Sequence, residues 1–447
     1  MEYMNVKING QAVRAESEMT ILDAAEAAGI SIPRLCYLKD LTPGSACRMC
    51  LVEVKGMAGM VTACTTAVRE GMEVETETER LRRERKINLE LICSNHRMDC
   101  TYCSRFPYCE LQDLCRKYGI DDRLYRFART EEIDDSAKHL VRDNSKCIVC
   151  GRCVAACEKQ GVNAIGVSGR GIQTKITPGA CGMELDMTDC IGCGQCINAC
   201  PTAALQDKDN TREIYRALTQ RKKKTVAVVE PEVLKQLGEC LLDKGVSDTS
   251  GKTVGILKKI GFERVFSTED FRTTGEELIQ TYCPAVIHMC ERKFPDLAVN
   301  FSYPMQKAAK TGMKKYYSSY RREDIFVAGI TTCTAIKKEV LPEVNAVITV
   351  RELASMVYRF CISHFTALEV WKETKEEFCD ALREGISVKA ETPINRTKHI
   401  SVTGYQNVEK ILKAVSQERQ NKESVRLFAC PGGCENGGGR PRRYAGK

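Results

Sequence analysis

Two runs of cysteine at one short spacing restrict this chain more than any other feature. They are "CIVCGRCVAAC", with Cys147, Cys150, Cys153 and Cys157, and "CIGCGQCINACP", with Cys190, Cys193, Cys196 and Cys200. C-x2-C steps this short let three thiolates wrap one [4Fe–4S] cubane while the fourth crosses to another. One expected set is therefore Cys147, Cys150, Cys153 and Cys200, and the other is Cys190, Cys193, Cys196 and Cys157. Pro201 follows the last cysteine as the pattern asks, although the first run has no such proline.

The pair reads as a two-cluster bacterial ferredoxin domain, which sets the meaning of the other cysteines. The chain has 26 of them in 447 residues. In a small secreted protein they would form disulfides; in a long chain opening "MEYMNVKING", without a leader's basic and apolar regions, they read as metal ligands. No stretch of 18 apolar residues occurs, so a soluble, cytoplasmic protein is expected. The formal charge of +8 is no nucleic-acid footprint, because five clusters would bring roughly −9 through their thiolates.

The N-terminus alternates as two short strands, Val6 to Ile8 and Gln11 to Val13, around an Asn9-Gly10 hairpin turn. Thr20 is placed as an N-cap with Asp23 three residues on, leading an alanine-rich helix that stops at Gly29. Hairpin, helix and cysteine loop follow the order of a β-grasp ferredoxin. Cys36, Cys47, Cys50 and Cys64, spaced C-x10-C-x2-C-x13-C, suit a [2Fe–2S] cluster. Zinc is the other metal four thiols could hold, and the β-grasp pattern around them speaks against it. Residues 78 to 118 are polar and helical, and within them "HRMDCTYCSRFPYCELQ" sets His96, Cys100, Cys103 and Cys109 at H-x3-C-x2-C-x5-C. Both segments resemble the N-terminal modules of the large iron–sulfur subunit of respiratory complex I and of multi-cluster [FeFe] hydrogenases. That resemblance implies a His-ligated [4Fe–4S] cluster, its potential raised by the neutral imidazole.

After the basic run Arg221 to Lys224, read as a solvated turn, the pattern becomes α/β, with strands near 225–229, 326–330 and 346–350. "GVSDTSGKT" has one residue too many for a phosphate loop, and no strand precedes it. Three segments resemble the H-cluster domain of [FeFe] hydrogenases: "QTYCPAVIHMCERKFPDL", "ITTCTAIKKEV" with "NAVITVREL" after it, and "FACPGGCENGGGRP". By that resemblance Cys283, Cys333, Cys430 and Cys434 hold a further [4Fe–4S] cubane, with Cys434 at the position that bridges to a diiron unit. The diiron surroundings differ. Tyr282 stands at the position of a proton-relaying cysteine, and Ile336 at that of a lysine that bonds a cyanide ligand. Thr331 and Phe428 replace methionines, and Glu230 replaces an alanine. The stretch "ALREGISVKAETPINRTKH" is polar and loop-like where the family has a glycine- and serine-rich segment. No diiron subcluster and no catalytic residue are expected.

The resulting fold class is multidomain α+β and α/β. Residues 1–77 form a β-grasp [2Fe–2S] ferredoxin, 78–135 a His/Cys3 [4Fe–4S] module, 136–212 a two-[4Fe–4S] ferredoxin domain, and 213–447 a truncated hydrogenase-like α/β domain. Four [4Fe–4S] clusters and one [2Fe–2S] cluster on one chain imply an electron-transfer subunit. The resemblance implies a heteromeric, electron-bifurcating complex such as a transhydrogenase or NAD-dependent formate dehydrogenase. Its expected partners are a flavin- and NAD(P)H-binding iron–sulfur subunit, a small thioredoxin-like [2Fe–2S] subunit, a second catalytic subunit, and ferredoxin, with no membrane or nucleic acid. The rivals are an active [FeFe] hydrogenase and a non-catalytic cluster-assembly or sensor protein. Cys93, Cys115, Cys181, Cys240, Cys290, Cys361 and Cys379 carry no assignment; Cys290 is read as a core thiol. His288 is read as a packed histidine, with a ligand or donor role near the last cubane as the alternative.

Overall fold

The computed structural model describes residues 3–39, 41, 45–106, 109–120, 132–179, 183–241, 249–269, 279–297, 300–301, 303–339, 341–361, 400–417 and 425–440. Cys181, Cys379 and the loop read at 381–399 lie outside the described residues, as do the side chains of Cys240 and Cys361.

The expected hairpin is present: Tyr3–Ile8 pairs antiparallel with Gln11–Glu16, Val6 opposite Val13. Asn9 and Gly10 turn at φ 50° and 77°, the left-handed pair that a two-residue hairpin of matching twist requires. Thr20 and Asp23 form a reciprocal capping box, each side chain accepting the other's backbone N–H at 3.2 Å. The helix Ile21–Ala27 that they start buries Ile21, Leu22, Ala24 and Ala25. It packs beside Val6, Ile8, Val52 and Val74 of a five-stranded sheet ordered Gln11–Glu16, Tyr3–Ile8, Glu73–Glu75, Leu51–Val54, Val61–Thr62. One parallel pair, Tyr3–Ile8 with Glu73–Glu75, sits inside this otherwise antiparallel sheet.

The helix Glu79–Ser94 is polar in sequence, yet one of its charges is wholly buried. Arg85 is 0% exposed. Its guanidinium donates to the Leu51 carbonyl at 2.6 Å, the Thr76 carbonyl at 2.8 Å and Glu77 Oε2 at 3.0 Å. A single cation thus ties this helix to the sheet and satisfies two carbonyls that have left the ladder. The chain then passes the cysteine segment and re-enters helix at Glu110–Tyr118, ended by Gly119 in the left-handed conformation. Cys93 and Cys115, one on each helix, face each other with sulfurs 3.3 Å apart in the core between them.

The two long cysteine runs each enter a short helix, Arg152–Lys159 and Gln195–Ala199. A three-stranded antiparallel sheet (Leu205–Asp207, Leu140–Asp143, Ile133–Asp134) and the hairpin of Ile165–Ser168 with Lys175–Pro178 flank them.

The last part is built on two parallel sheets. The first is ordered Arg264–Ser267, Lys224–Val229, Ile325–Thr331, Ala346–Thr349, and contains the three strands expected from sequence. Every residue of Ile325–Thr331 is buried, as in a parallel strand covered on both faces. Lys224, from the basic run, is the first residue of its strand rather than part of the turn. "TSGKT" begins the helix Thr249–Ile260, and the element described before it is the helix Pro231–Leu241, not the strand that a phosphate loop follows. The second sheet, ordered Asn300–Phe301, Ile279–Thr281, Val425–Phe428, Ile400–Thr403, was not anticipated. It packs under the helices Pro284–Lys293 and Tyr405–Gln417. Among the described residues no helix is long and apolar enough to cross a membrane.

Replacing Arg85 by Met should uncouple helix Glu79–Ser94 from the sheet. Two orphaned buried carbonyls would cost about 1–3 kcal/mol each before repacking. The check is an earlier thermal loss of visible absorbance from the N-terminal centre.

Candidate metal centres

Five sets of candidate ligands lie on or beside the loops that leave these elements. Among the described residues no three His, Cys, Asp or Glu side chains close around a single-ion position; the thiols gather in larger sets. At the N-terminus Cys36, Cys47, Cys50 and Cys64 are all buried. Cys36 sits within hydrogen-bonding reach of both Cys47 and Cys64, which hold its thiol well below the usual range. Cys64 lies 3.3 Å from Cys50 and lowers it to about 7 in the same way. Four sulfurs linked in a chain Cys47–Cys36–Cys64–Cys50, two of them biased to thiolate, fit a dinuclear centre.

In the next segment Cys103 lies close enough to raise both Cys100 and Cys109, after burial. His96 is buried, and burial lowers it to about 4, so the ring is neutral at neutral pH. Its Nδ1 donates to the Lys146 carbonyl at 3.1 Å, which leaves Nε2 with the lone pair that a ligand needs. The Lys146 carbonyl also accepts from Thr202 Oγ1 at 2.8 Å.

Side-chain neighbourhoods bring thiols of the two long cysteine runs together. Burial raises Cys153 well above the usual thiol range, and Cys150, Cys200 and Cys147 add to the rise. These four line one small cavity, walled by Ile148, Ile176 and Leu205. Cys196 is raised by burial and then by Cys193, Cys190, Cys153 and Cys157, so the second set adjoins the first. His139, buried and not anticipated from sequence, places Nε2 3.5 Å from Cys190 Sγ. Lys338 Nζ donates to the Cys190 carbonyl at 2.9 Å.

The last group forms where strands of the two parallel sheets end. Cys283 follows Ile279–Thr281, Cys333 follows Ile325–Thr331, and Cys430 follows Val425–Phe428. Such carboxyl-end crevices are where open α/β sheets hold ligands. Thr281 Oγ1 accepts from Cys283 N–H at 3.1 Å and Thr331 Oγ1 from Cys333 N–H at 2.9 Å, which fixes both turns. Cys434 is raised far above the usual range by burial, then by Cys283, Glu230, Cys333 and Cys430. All four sequence-matched cysteines therefore meet. In the ferredoxin-type and C-terminal sets, thiols that burial and one another keep protonated form donor sets that ionise only around a strongly cationic group.

The ground beside this quartet is filled. Tyr282 and Phe428 pack edge to face, ring centroids 5.3 Å apart at 69°. Ile336 is buried in the apolar cluster of Val226, Met305 and Val327. Lys337 turns away to Glu352, 2.7 Å from Oε2. His288 is not the packed histidine expected: its side chain is 40% exposed, and Nε2 lies 2.8 Å from Glu339, which also accepts from Tyr303 at 2.7 Å. It has no place among the cubane ligands. Cys290 is a core thiol beside Val286 and Leu427.

Neighbouring centres touch through small residues and buried cations. Arg105, 5% exposed, donates to the Cys200 carbonyl and lies 3.6 Å from Glu110. Arg152 donates to the Tyr37 carbonyl at 2.9 Å and to Glu110 at 3.0 Å, clamping three segments. Burial raises Cys193, and the nearby Cys430 adds to the rise. Their loops meet at Gly194 and Gly438: a Cβ on Gly194 would come 2.8 Å from the Gly438 Cα.

Comparison with known proteins agrees with this division. A 2Fe-2S iron-sulfur cluster binding domain matches residues 2–79, and an NADH-ubiquinone oxidoreductase-G iron-sulfur binding region matches 85–123. A 4Fe-4S dicluster domain matches 146–204. The iron only hydrogenase large subunit, C-terminal domain, matches 223–377 and 366–438. Iron hydrogenase 1 of Clostridium pasteurianum is 30% identical over 508 residues, covering 97% of this chain and 88% of that protein. The chain belongs to the iron hydrogenase family. The NADP-reducing hydrogenase subunit HndD of Solidesulfovibrio fructosivorans is 28% identical over 99% of this chain and 90% of its own. The NADH-ubiquinone oxidoreductase 75 kDa subunit of Reclinomonas americana is 38% identical over 39% of this chain and 26% of its own. This iron hydrogenase family member is thus a mixed α/β, multidomain chain with [2Fe–2S], [4Fe–4S] and hydrogenase-like domains.

Two outcomes follow for this family member. Gly438→Ala places a methyl against Cys193 and Gly194, so the loops must part. Electron exchange between the two centres, followed by freeze-quench spectroscopy, should slow with cluster content unchanged. His96→Cys adds an anionic ligand to the second module, and the reduction potential of that centre should fall in a spectroscopic redox titration.

Proposed function

We propose that the chain is a multi-cluster electron-transfer subunit of a flavin-based, NAD(P)H- and ferredoxin-linked, electron-bifurcating oxidoreductase, with no hydrogen chemistry of its own. The observation that carries this reading is the contrast at the C-terminal crevice. The four thiols are gathered there, while Tyr282, Phe428, Ile336 and Glu230 occupy the positions matched to the diiron surroundings. An apolar pair of rings and a carboxylate leave no relay thiol and no cyanide-bonding lysine among the described residues.

Bound at these sites, iron–sulfur clusters supply one-electron transfer and nothing else. The ligand assignments are Cys36, Cys47, Cys50 and Cys64 for a [2Fe–2S] cluster and His96, Cys100, Cys103 and Cys109 for the first [4Fe–4S] cluster. The other three are held by Cys147, Cys150, Cys153 and Cys200, by Cys190, Cys193, Cys196 and Cys157, and by Cys283, Cys333, Cys430 and Cys434. The protein spaces neighbouring sets through Arg105, Arg152 and the Gly194–Gly438 contact. Divided at 77/78, 135/136 and 212/213, the chain runs from a β-grasp end to a hydrogenase-like end. Relatives named as subunits of NADP-reducing hydrogenase and NADH-ubiquinone oxidoreductase support a heteromeric complex. A flavin- and NAD(P)H-binding iron–sulfur subunit, a thioredoxin-like [2Fe–2S] subunit and a second catalytic subunit complete it, as in a transhydrogenase or formate dehydrogenase complex in the cytoplasm.

Family membership favours one second reading, an active hydrogenase. Infrared spectroscopy of the complex isolated from its host separates the two. We expect no bands in the region of metal-bound CO and cyanide, about 18 iron atoms per chain, and a co-purifying flavoprotein. Intense bands there would overturn the proposal.

A further inference from the structure

Glu230 stands between the strand Lys224–Val229 and the helix Pro231–Leu241, at the mouth of the C-terminal crevice. Its Oε2 accepts from the Thr332 N–H at 3.1 Å. The Thr332 hydroxyl lies 3.4 Å from the same oxygen and makes its shorter bond, 2.9 Å, to the Cys434 carbonyl. Thr332 also receives Gly439 N–H on its carbonyl at 2.8 Å. One residue therefore links the Glu230 carboxylate to Cys333, its chain neighbour, and to the loop carrying Cys434.

The carboxylate is one hydrogen bond from the residue before Cys333, and that same residue's hydroxyl bonds the Cys434 carbonyl. Arg440, in the loop after Cys430 and Cys434, donates to Asn436 Oδ1 at 2.9 Å. The neighbouring ferredoxin-type set has the opposite surroundings, with the ammonium of Lys338 bonded to its Cys190 carbonyl. A fixed negative charge beside a cluster disfavours the added electron, and net charge is among the levers that set cluster potentials.

We infer that Glu230 is a potential-setting residue: its carboxylate lowers the reduction potential of the cluster held by Cys283, Cys333, Cys430 and Cys434, fitting that centre to pass electrons to a low-potential one-electron acceptor. This rests on the reading that a cubane without a diiron unit is held there. A merely structural Glu230 would act through its bond to Thr332 N–H, and a neutral amide oxygen can accept that bond equally well.

The test is a redox titration, followed by electron paramagnetic resonance, of the full chain carrying all its clusters. Wild type, Glu230→Gln, Glu230→Asp and Glu230→Ala are compared, and the relevant signal is identified by its loss in Cys333→Ala. In Glu230→Gln we expect the midpoint potential of that signal to rise while the other four stay in place, with Glu230→Asp near wild type. Glu230→Ala, carrying the residue the family has there, gives a second charge-free variant should the amide fold poorly. Five signals with an unmoved potential in both charge-free variants would overturn the inference alone. A wild-type chain lacking the Cys333-dependent signal would overturn it together with the reading it rests on.

Discussion

Burial of sulfur governs this molecule. Most of the thiols assigned as ligands lie in low-dielectric surroundings where neither burial nor the neighbouring cysteines allow them to ionise unaided. A cationic group at each set reverses that balance, and binding it becomes part of the folding free energy. The buried guanidiniums of Arg105 and Arg152 belong to the same economy of charge. Each lies between cluster loops and bonds to a carbonyl that would otherwise be stranded.

The cysteine spacings carried most of the site because each short step is a local geometric demand. The nearness of Cys157 and Cys200 to the opposite runs, the N-terminal hairpin with its Asn9-Gly10 turn and the Thr20–Asp23 capping box were legible as local demands of this kind. What stayed hidden depends on contacts between distant segments. The second parallel sheet escaped notice because its strands are two to four residues long, too short for any periodicity to show. Arg85 read as one more charge on a polar helix, and only the tertiary fold reveals the two carbonyls waiting for it. His139 and Lys338 likewise have no spacing signal, since they meet Cys190 from remote parts of the chain.

Cys93 and Cys115 illustrate a different limit. Each looked like a stray thiol in sequence, and together they form a buried pair across two helices that also flank the His96 segment. Core thiols of this kind pack as small apolar groups. The sequence offers no way to separate such a pair from ligands, except that neither fits a recurring step.

The C-terminal crevice draws its ligands from turns that are far apart along the chain. Cys283, Cys333 and Cys430 each follow a parallel strand, in two different sheets. Parallel pairing of this kind has high contact order and forms late. During synthesis the N-terminal thiols can be gathered while the ribosome is still extending the chain, since Cys36 to Cys64 span a single small fold. The last quartet exists only when residues 425–440 have emerged and docked. Cluster insertion would then follow an order dictated by chain topology, with the final centre serving as a checkpoint for completed folding.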